Sequence, residues 1–142
     1  MNEPSEKIRI MPAGHWDWPL SVTLSQGWKI GPWVFVGGQV CQDADGVVLH
    51  PGDIAAQIRV VFENIRAVLR EAGGDLADIV KLNTYYVYDG PPEGNDEFYK
   101  MMTAVRMEYI ADPGPAATAV RVAGLALLGL EIEIEALAYV AA

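Results

Sequence analysis

PGDIAAQIRVVFENIRAVLREAGGDLADIVKLNTYYVYD, residues 51–89, is the stretch whose reading decides the fold. Its first part carries apolar residues at Ile54, Ile58, Val61, Phe62, Ile65, Val68 and Leu69. That spacing predicts a helix from Asp53 to Gly74, with Gln57, Arg59, Glu63, Arg66 and Arg70 on its polar side. Asp53 can cap the start, and Gly73 with Gly74 supplies a left-handed stop. Asp75–Asp78 then turns the chain into a β-branched and aromatic strand, Ile79 to Tyr88. A helix passing to a strand through so short a connection is one half of a helix-on-sheet layer.

Working outward from this unit, Ser21–Ile30 and Trp33–Val40 read as strands joined by a turn at Gly31-Pro32. Met1–Pro19 reads as an arm or loop with an edge strand at Lys7–Met11 and an aromatic patch, His15-Trp16-Asp17-Trp18. A turn at Asp43–Gly46 precedes Val47-Val48-Leu49. After the loop Gly90–Gly94, Asn95 or Asp96 caps a second helix with apolar positions Phe98, Met101, Met102, Val105, Tyr109 and Ile110. Asp112-Pro113-Gly114-Pro115 ends it. Two last strands follow, Ala117–Val122 and Leu130–Tyr139. The order is β-β-β-α-β-α-β-β in one domain spanning 1–142, since this length suits one core and not two.

Composition narrows the function. Half of the 142 residues (51%) are hydrophobic, which excludes disorder. Asp and Glu number 19 against 10 Lys and Arg, a net charge of −9, so the chain lacks the basic footprint of a nucleic-acid binder. The longest apolar run, Val122–Leu130, is too short to cross a bilayer. The N-terminal MNEPSEKIRIM has no apolar signal region. A lone cysteine, Cys41, excludes an internal disulfide and fits a reducing, cytoplasmic setting.

Two helices cover only one face of a five- or six-stranded sheet. On the last strand, alternation puts Glu131, Glu133 and Glu135 on one side and Leu130, Ile132 and Ile134 on the other. On the central strand, Val80, Leu82, Thr84 and Tyr86 share one side, and Ile79, Lys81, Asn83, Tyr85 and Val87 the other. With Arg121, Trp33 and Phe35 added, the uncovered face mixes charge and aromatic groups. Such a face reads as a subunit interface. A solvated antiparallel face with cross-strand ion pairs is the alternative.

The segments GPWVFVGGQV, AAQIRVVFENIRAVLREAGGDLADIVKLNTYYV, PGPAATAV and EIEIEALA resemble the Rid family (reactive intermediate deaminase, YjgF-type) over residues 21–138. The resemblance implies a chorismate-mutase-like α+β fold, a mixed sheet of about six strands with two helices on one face. It also implies a homotrimer with a central barrel, ligand clefts between subunits, and hydrolysis of enamines and imines without metal or cofactor. Matched residue by residue, the family's carboxylate-binding arginine is Ala117 here, the tyrosine of its Tyr-Ser-Gln element is Leu24, and the serine before Gly-Gln is Gly37. Its helix asparagine falls near Met102 or Thr103. Ser25, Gln26 and the final glutamate, Glu133, remain. This pattern places the chain on the arginine-lacking side of the family.

Glu133 is accordingly the candidate catalytic group, because imine hydrolysis needs a carboxylate that moves protons to and from water and the leaving amine. Crowding by Glu131 and Glu135 would raise the pKa of at least one of the three. Structural ion pairs with Lys81 and Arg121 are the competing role. Gly37, Gly38 and Gln39 can present bare backbone to a ligand or form a β-bulge. Arg121, about 13 Å along a strand from Ala117, can meet a longer substrate or line a barrel. Trp28, with Trp16, Trp18 and Trp33, can wall an apolar ligand site or simply pack. His15 and His50 lack the companions of a zinc site, and Cys41 has no base beside it. The reading is a small-molecule deaminase acting on something other than simple 2-imino acids, with a non-catalytic binding or chaperone-like trimer as the rival.

Overall fold

The computed structural model describes residues 5–18 and 22–141. Its elements are β1 (Lys7–Ile10), β2 (Gly27–Ile30), β3 (Trp33–Gln39), α1 (Ile54–Glu71), β4 (Ile79–Tyr86), α2 (Asn95–Arg106), β5 (Ala116–Arg121) and β6 (Ile132–Tyr139). Six strands form one sheet in the order β1-β2-β3-β6-β4-β5. Only β4 and β5 run parallel, joined by α2 as the crossover, so the sheet is mixed.

α1 forms where its period places it. Asp53 accepts the N–H of Ala56, and Gly73 at φ 88 closes the far end. Its apolar stripe packs on Val34, Val36, Leu82, Ile132, Ile134 and Ala138, which with Phe62 and Ile65 make the core. Gln57 departs from the expected polar side. It is fully buried, and its Nε2 donates to the carbonyls of Leu49, His50 and Gly129 while its Oε1 accepts from Glu131 N–H. A buried amide with its hydrogen bonds made is stable there, and it ties α1 to two loops.

The elements also depart from the sequence reading at their ends. β2 begins at Gly27 rather than near Ser21, and 22–26 leave the ladder; Ser21 itself lies outside the described residues. Val47–Leu49 makes one isolated bridge, Gln42 to Val48, instead of a strand. α2 grows out of a 3₁₀ turn, Pro92–Gly94, so Asn95 is its first residue and not its cap. It ends at Arg106, and Tyr109 beyond it stacks on Phe62 at 5.1 Å.

The faces of β4 also differ. The register against β6 shifts between Ile79 and Lys81, a bulge that turns Ile79 into the core and leaves Val80 exposed. Past it, Leu82, Thr84 and Tyr86 face the helices, as their spacing predicts. β5 pairs Leu82 with Ala117 and Tyr86 with Arg121. Ala117 and Arg121 therefore lie on the helix side, and the Arg121 guanidinium sits 5.2 Å from the Tyr88 ring. The expectation that Arg121 joins the open face is corrected: Thr118 and Val120 occupy it, beside Asn83 and Tyr85.

Candidate functional site

Along β6 burial alternates strictly, with Ile132, Ile134 and Ala136 buried and Glu133, Glu135 and Leu137 half-buried on the open side. The apolar row anchors the strand and thereby fixes the glutamates. Glu135 is opposite Asn83, whose Nδ2 donates to it at 3.0 Å; Tyr85 OH donates to the same oxygen at 3.1 Å. That carboxylate, first by its hydrogen bond and then by its charge, pushes the Tyr85 phenol up. Neither glutamate has an ion pair with Lys81 or Arg121 among the described residues.

Glu133 is held differently. It lies across from Tyr85 on one side and against the Gly37-Gly38 bulge of β3 on the other, where Val36 pairs Ala136 and Gln39 pairs Ile134. A Cβ built on Gly38 would stand 2.9 Å from Glu133 Cδ and 3.0 Å from Oε2. Only glycine leaves room for the carboxyl group at that point. Burial, and then the charge of Glu135, pushes the Glu133 pKa up, and no hydrogen bond among the described residues offsets it. Glu131 stands apart, before β6, where burial raises its pKa against a lowering hydrogen bond from the Gly52 backbone, with smaller contributions from Asp89 and Asp53.

A cleft of about 320 Å³ opens beside Glu135, lined by Ser25, Trp28, Phe35, Gly37, Lys81 and Asn83, among others; Glu133 and Gly38 lie next to it along the strands and are not part of its wall. An aromatic wall with a few convergent polar groups suits a small ligand. Trp28 is thus at the cleft. Gln39 is not available to it: the side chain is fully buried, its Oε1 accepts from Trp16 Nε1 at 2.8 Å and lies 2.6 Å from His15 Nε2, and its Nε2 donates to Gln26 Oε1 and to the Gly37 carbonyl. Gln26 in turn donates to the Trp16 carbonyl. Gln39 pins the N-terminal arm to the sheet and shapes the glycine bulge. Burial outweighs that hydrogen bond and lowers the His15 pKa.

Ala117 and Arg121 are not brought to the cleft within one chain, since they sit on the other face of an edge strand. Thr103 and Met102 of α2 are on that same far side, lining a small recess of about 40 Å³ with Thr84, Arg106 and Ala119. Asn83 escaped sequence reading as a site residue, while Tyr85 could be read there only as an aromatic wall or as packing. Their parity with Lys81 on the open face was visible, but the hydrogen bonds that join them to Glu135 were not. Among the described residues no three His, Cys, Asp or Glu side chains converge, and no helix is long and apolar enough to cross a membrane. Cys41 is buried, and burial pushes its thiol up to about 11.

With the geometry in place, comparison with known proteins is specific. The family model described as Endoribonuclease L-PSP matches residues 19–140. A "RutC family protein" of Pyrococcus abyssi is 40% identical over 115 residues, 81% of this chain and 84% of the relative. The protein named "3-aminoacrylate deaminase RutC" of Acinetobacter baylyi is 36% identical over 107 residues, 75% of this chain and 79% of its own length. Among solved structures, RidA from the Antarctic bacterium Psychrobacter sp. superposes with a TM-score of 0.77 at 32% identity, covering 94% of this chain and 99% of that one. The chain belongs to the Rid/YjgF family, the group whose model carries the endoribonuclease L-PSP description.

Proposed function

We propose that this protein is a cofactor-free hydrolytic deaminase of enamines or imines, working on a substrate other than a simple 2-imino acid, with Glu133 as its general acid/base. The observation that carries the reading is the state of Glu133: half-buried, raised in pKa, without a hydrogen-bond partner among the described residues, and facing bare glycine backbone. A carboxyl group so placed keeps its proton to higher pH than an ordinary glutamate and is short of fixed partners, which suits proton transfer. It protonates the enamine carbon or imine nitrogen, then as carboxylate takes a proton from attacking water. The carbinolamine collapses with the proton returned to nitrogen. Water attack forms the first C–O bond, and loss of the protonated amine with the hydroxyl proton converts it to C=O, so that iminium plus water gives carbonyl plus ammonium.

The name of the Acinetobacter baylyi relative refers to an enamine, which supports the substrate class. Alanine at 117, where the resemblance places a carboxylate-binding arginine, supports membership of the arginine-lacking subgroup and a substrate other than the 2-imino type. The open face, with Trp33, Phe35 and Tyr139 each more than two-fifths exposed, supports assembly through it, and we read the protein as a cytoplasmic homotrimer with clefts completed between subunits. The net charge of −9 and the lack of a basic cluster weigh against RNA cleavage despite the family description. The absence of the family's arginine and serine equivalents, at Ala117 and Gly37, favours the rival reading of a non-catalytic ligand-binding trimer.

The deciding experiment follows ammonia release from 3-aminoacrylate and from 2-aminoacrylate, each generated in situ. Faster release from the first than the second is expected. No acceleration of any enamine in a broad panel would leave the binding-trimer reading in place.

A further inference from the structure

We infer that Trp16 of the N-terminal arm is a positioning residue for Glu133, acting through the Gln39 amide and the Gly37-Gly38 peptide without touching the carboxyl group itself. The inference rests on the deaminase reading for the chemistry of Glu133 and on geometry alone for its placement.

The route is a closed ring of hydrogen bonds with one permitted orientation. An indole N–H only donates, so Trp16 Nε1, 2.8 Å from the Gln39 side chain, must meet the amide oxygen. That oxygen only accepts, so His15 Nε2, 2.6 Å away, carries a proton and supplies the second donor. Gln39 Nε2 is left facing Gln26 Oε1 at 2.9 Å, and Gln26 Nε2 donates to the Trp16 carbonyl at 3.0 Å. Reversing the Gln39 amide would set its NH2 against the indole N–H and its oxygen against two other oxygens. Trp16, Gln26 and Gln39 are all buried, so no bulk water would relieve that arrangement.

The ring's remaining donor reaches the site. Gln39 Nε2 also donates to the Gly37 carbonyl at 3.0 Å, while Gly37 N–H donates to the Gln26 carbonyl at 2.8 Å. Both polar groups of Gly37 are thus held by the two glutamines of the ring. The segment behind it is tied in turn, because Arg9 donates from Nε to Ser25 Oγ at 2.8 Å and from Nη2 to the Leu24 carbonyl at 2.7 Å. A Cβ built on Gly37 would lie 3.2 Å from the Ser25 carbonyl oxygen, and one on Gly38 lies 2.9 Å from Glu133 Cδ. The bulge is therefore wedged between residues 25–26 and the Glu133 carboxyl group. Turning the Gly37-Gly38 peptide, whose carbonyl Gln39 holds, moves the wall against which Glu133 rests. Glu133 makes no hydrogen bond among the described residues, so that wall and its own strand are what aim it.

The test titrates Glu133 in the intact protein, by the carboxyl carbon shift of labelled glutamate, with the signal assigned from Glu133→Gln. Trp16→Phe keeps an aromatic ring and deletes the N–H. It should lower the Glu133 midpoint toward the ordinary glutamate value, because a bulge free to move lets water reach the carboxyl group. Trp18→Phe is the control: that ring packs edge-on to Trp16 at 6.0 Å and has no hydrogen bond to Gln39 or Gln26 among the described residues, so the midpoint should stay put. In turnover, Trp16→Phe should lose about tenfold in kcat with KM little changed. In wild type, the Gln39 side-chain amide protons should exchange slowly with solvent, and exchange as fast as a free amide would overturn the inference without any variant. An unchanged midpoint in natively folded Trp16→Phe, or an equal shift in Trp18→Phe, would overturn it as well. A Trp16-dependent midpoint in a protein that turns over no enamine would sink the deaminase reading and leave the role of Trp16 standing. Enamine turnover with a kcat indifferent to Trp16→Phe would do the reverse.

Discussion

The two faces of one sheet follow the same alternation and end up with opposite duties. The face under α1 and α2 is closed by Val34, Val36, Leu82, Ile132 and Ile134, all buried among apolar neighbours. The other face carries Trp33 at 41%, Phe35 at 48% and Tyr139 at 46% exposed, interleaved with Lys81, Asn83, Glu133 and Glu135. Burial of the first holds the fold together. The second combines large apolar area with half-buried carboxylates, which a core does not tolerate. The covered face therefore accounts for stability, and the open face is where we propose assembly and chemistry.

Substitutions can break this division. The largest loss of stability is expected on the covered side: Phe62→Ala, at a fully buried ring stacked on Tyr109, should cost about 3–5 kcal/mol in urea unfolding. On the open side, Phe35→Asp should disperse the assembly into monomers by sedimentation while the far-ultraviolet circular dichroism stays native. A mutant that unfolds instead would put Phe35 in the core's account. Gly38→Ala introduces a methyl group 2.9 Å from Glu133 Cδ, and the displaced carboxyl should cost about 10²-fold in turnover while the fold survives. An unchanged rate would show that the glycine bulge does not position Glu133.

A smaller effect sharpens the comparison through pH. The folded protein raises the pKa of Glu133, so the native state holds a proton that the unfolded chain releases. The penalty is absent well below the ordinary carboxylate pKa, grows as pH rises from that value through the raised one, and is constant above. Glu133→Gln should therefore melt increasingly higher than wild type as pH climbs from the ordinary carboxylate range, about 4, through the raised value. A mutant whose advantage shrinks over that interval would mean that a cation compensates Glu133 in the native protein. Least affected of all should be Cys41→Ala, at a thiol pushed up to about 11 and buried away from the cleft. Its turnover and its pH profile should match wild type.

The elements were legible in the sequence wherever burial imposes a period. α1, β4 and β6 sit where their apolar spacing predicts, and the charge–apolar alternation of β6 identified Glu133's face. Two bulges defeated simple parity. One turns Ile79 inward against expectation; the other, Gly37-Gly38, was visible as a possibility but not as the contact that houses Glu133. β5 gave no signal at all about its faces, because every residue in it is exposed, and so Arg121 was assigned to the wrong side. Gln57 was misread because a buried amide looks polar in sequence and one of the carbonyls that satisfy it comes from a distant segment; the network around the Gln39 side chain was equally invisible, although the β-bulge alternative at residues 37–39 is what the register shows. The tether between Arg9 and Ser25 spans 16 residues and left no local mark either.

The most direct test compares two carboxylates two residues apart on one strand. Ammonia release from the in situ enamine panel is measured for Glu133→Gln and Glu135→Gln, with sedimentation to show that both assemblies are intact. Loss of a general acid/base should slow the first variant by about 10²–10⁴-fold. Glu135, tied to Asn83 and Tyr85, should matter less than its neighbour. Unchanged turnover in Glu133→Gln, or a larger loss in Glu135→Gln, would contradict the account.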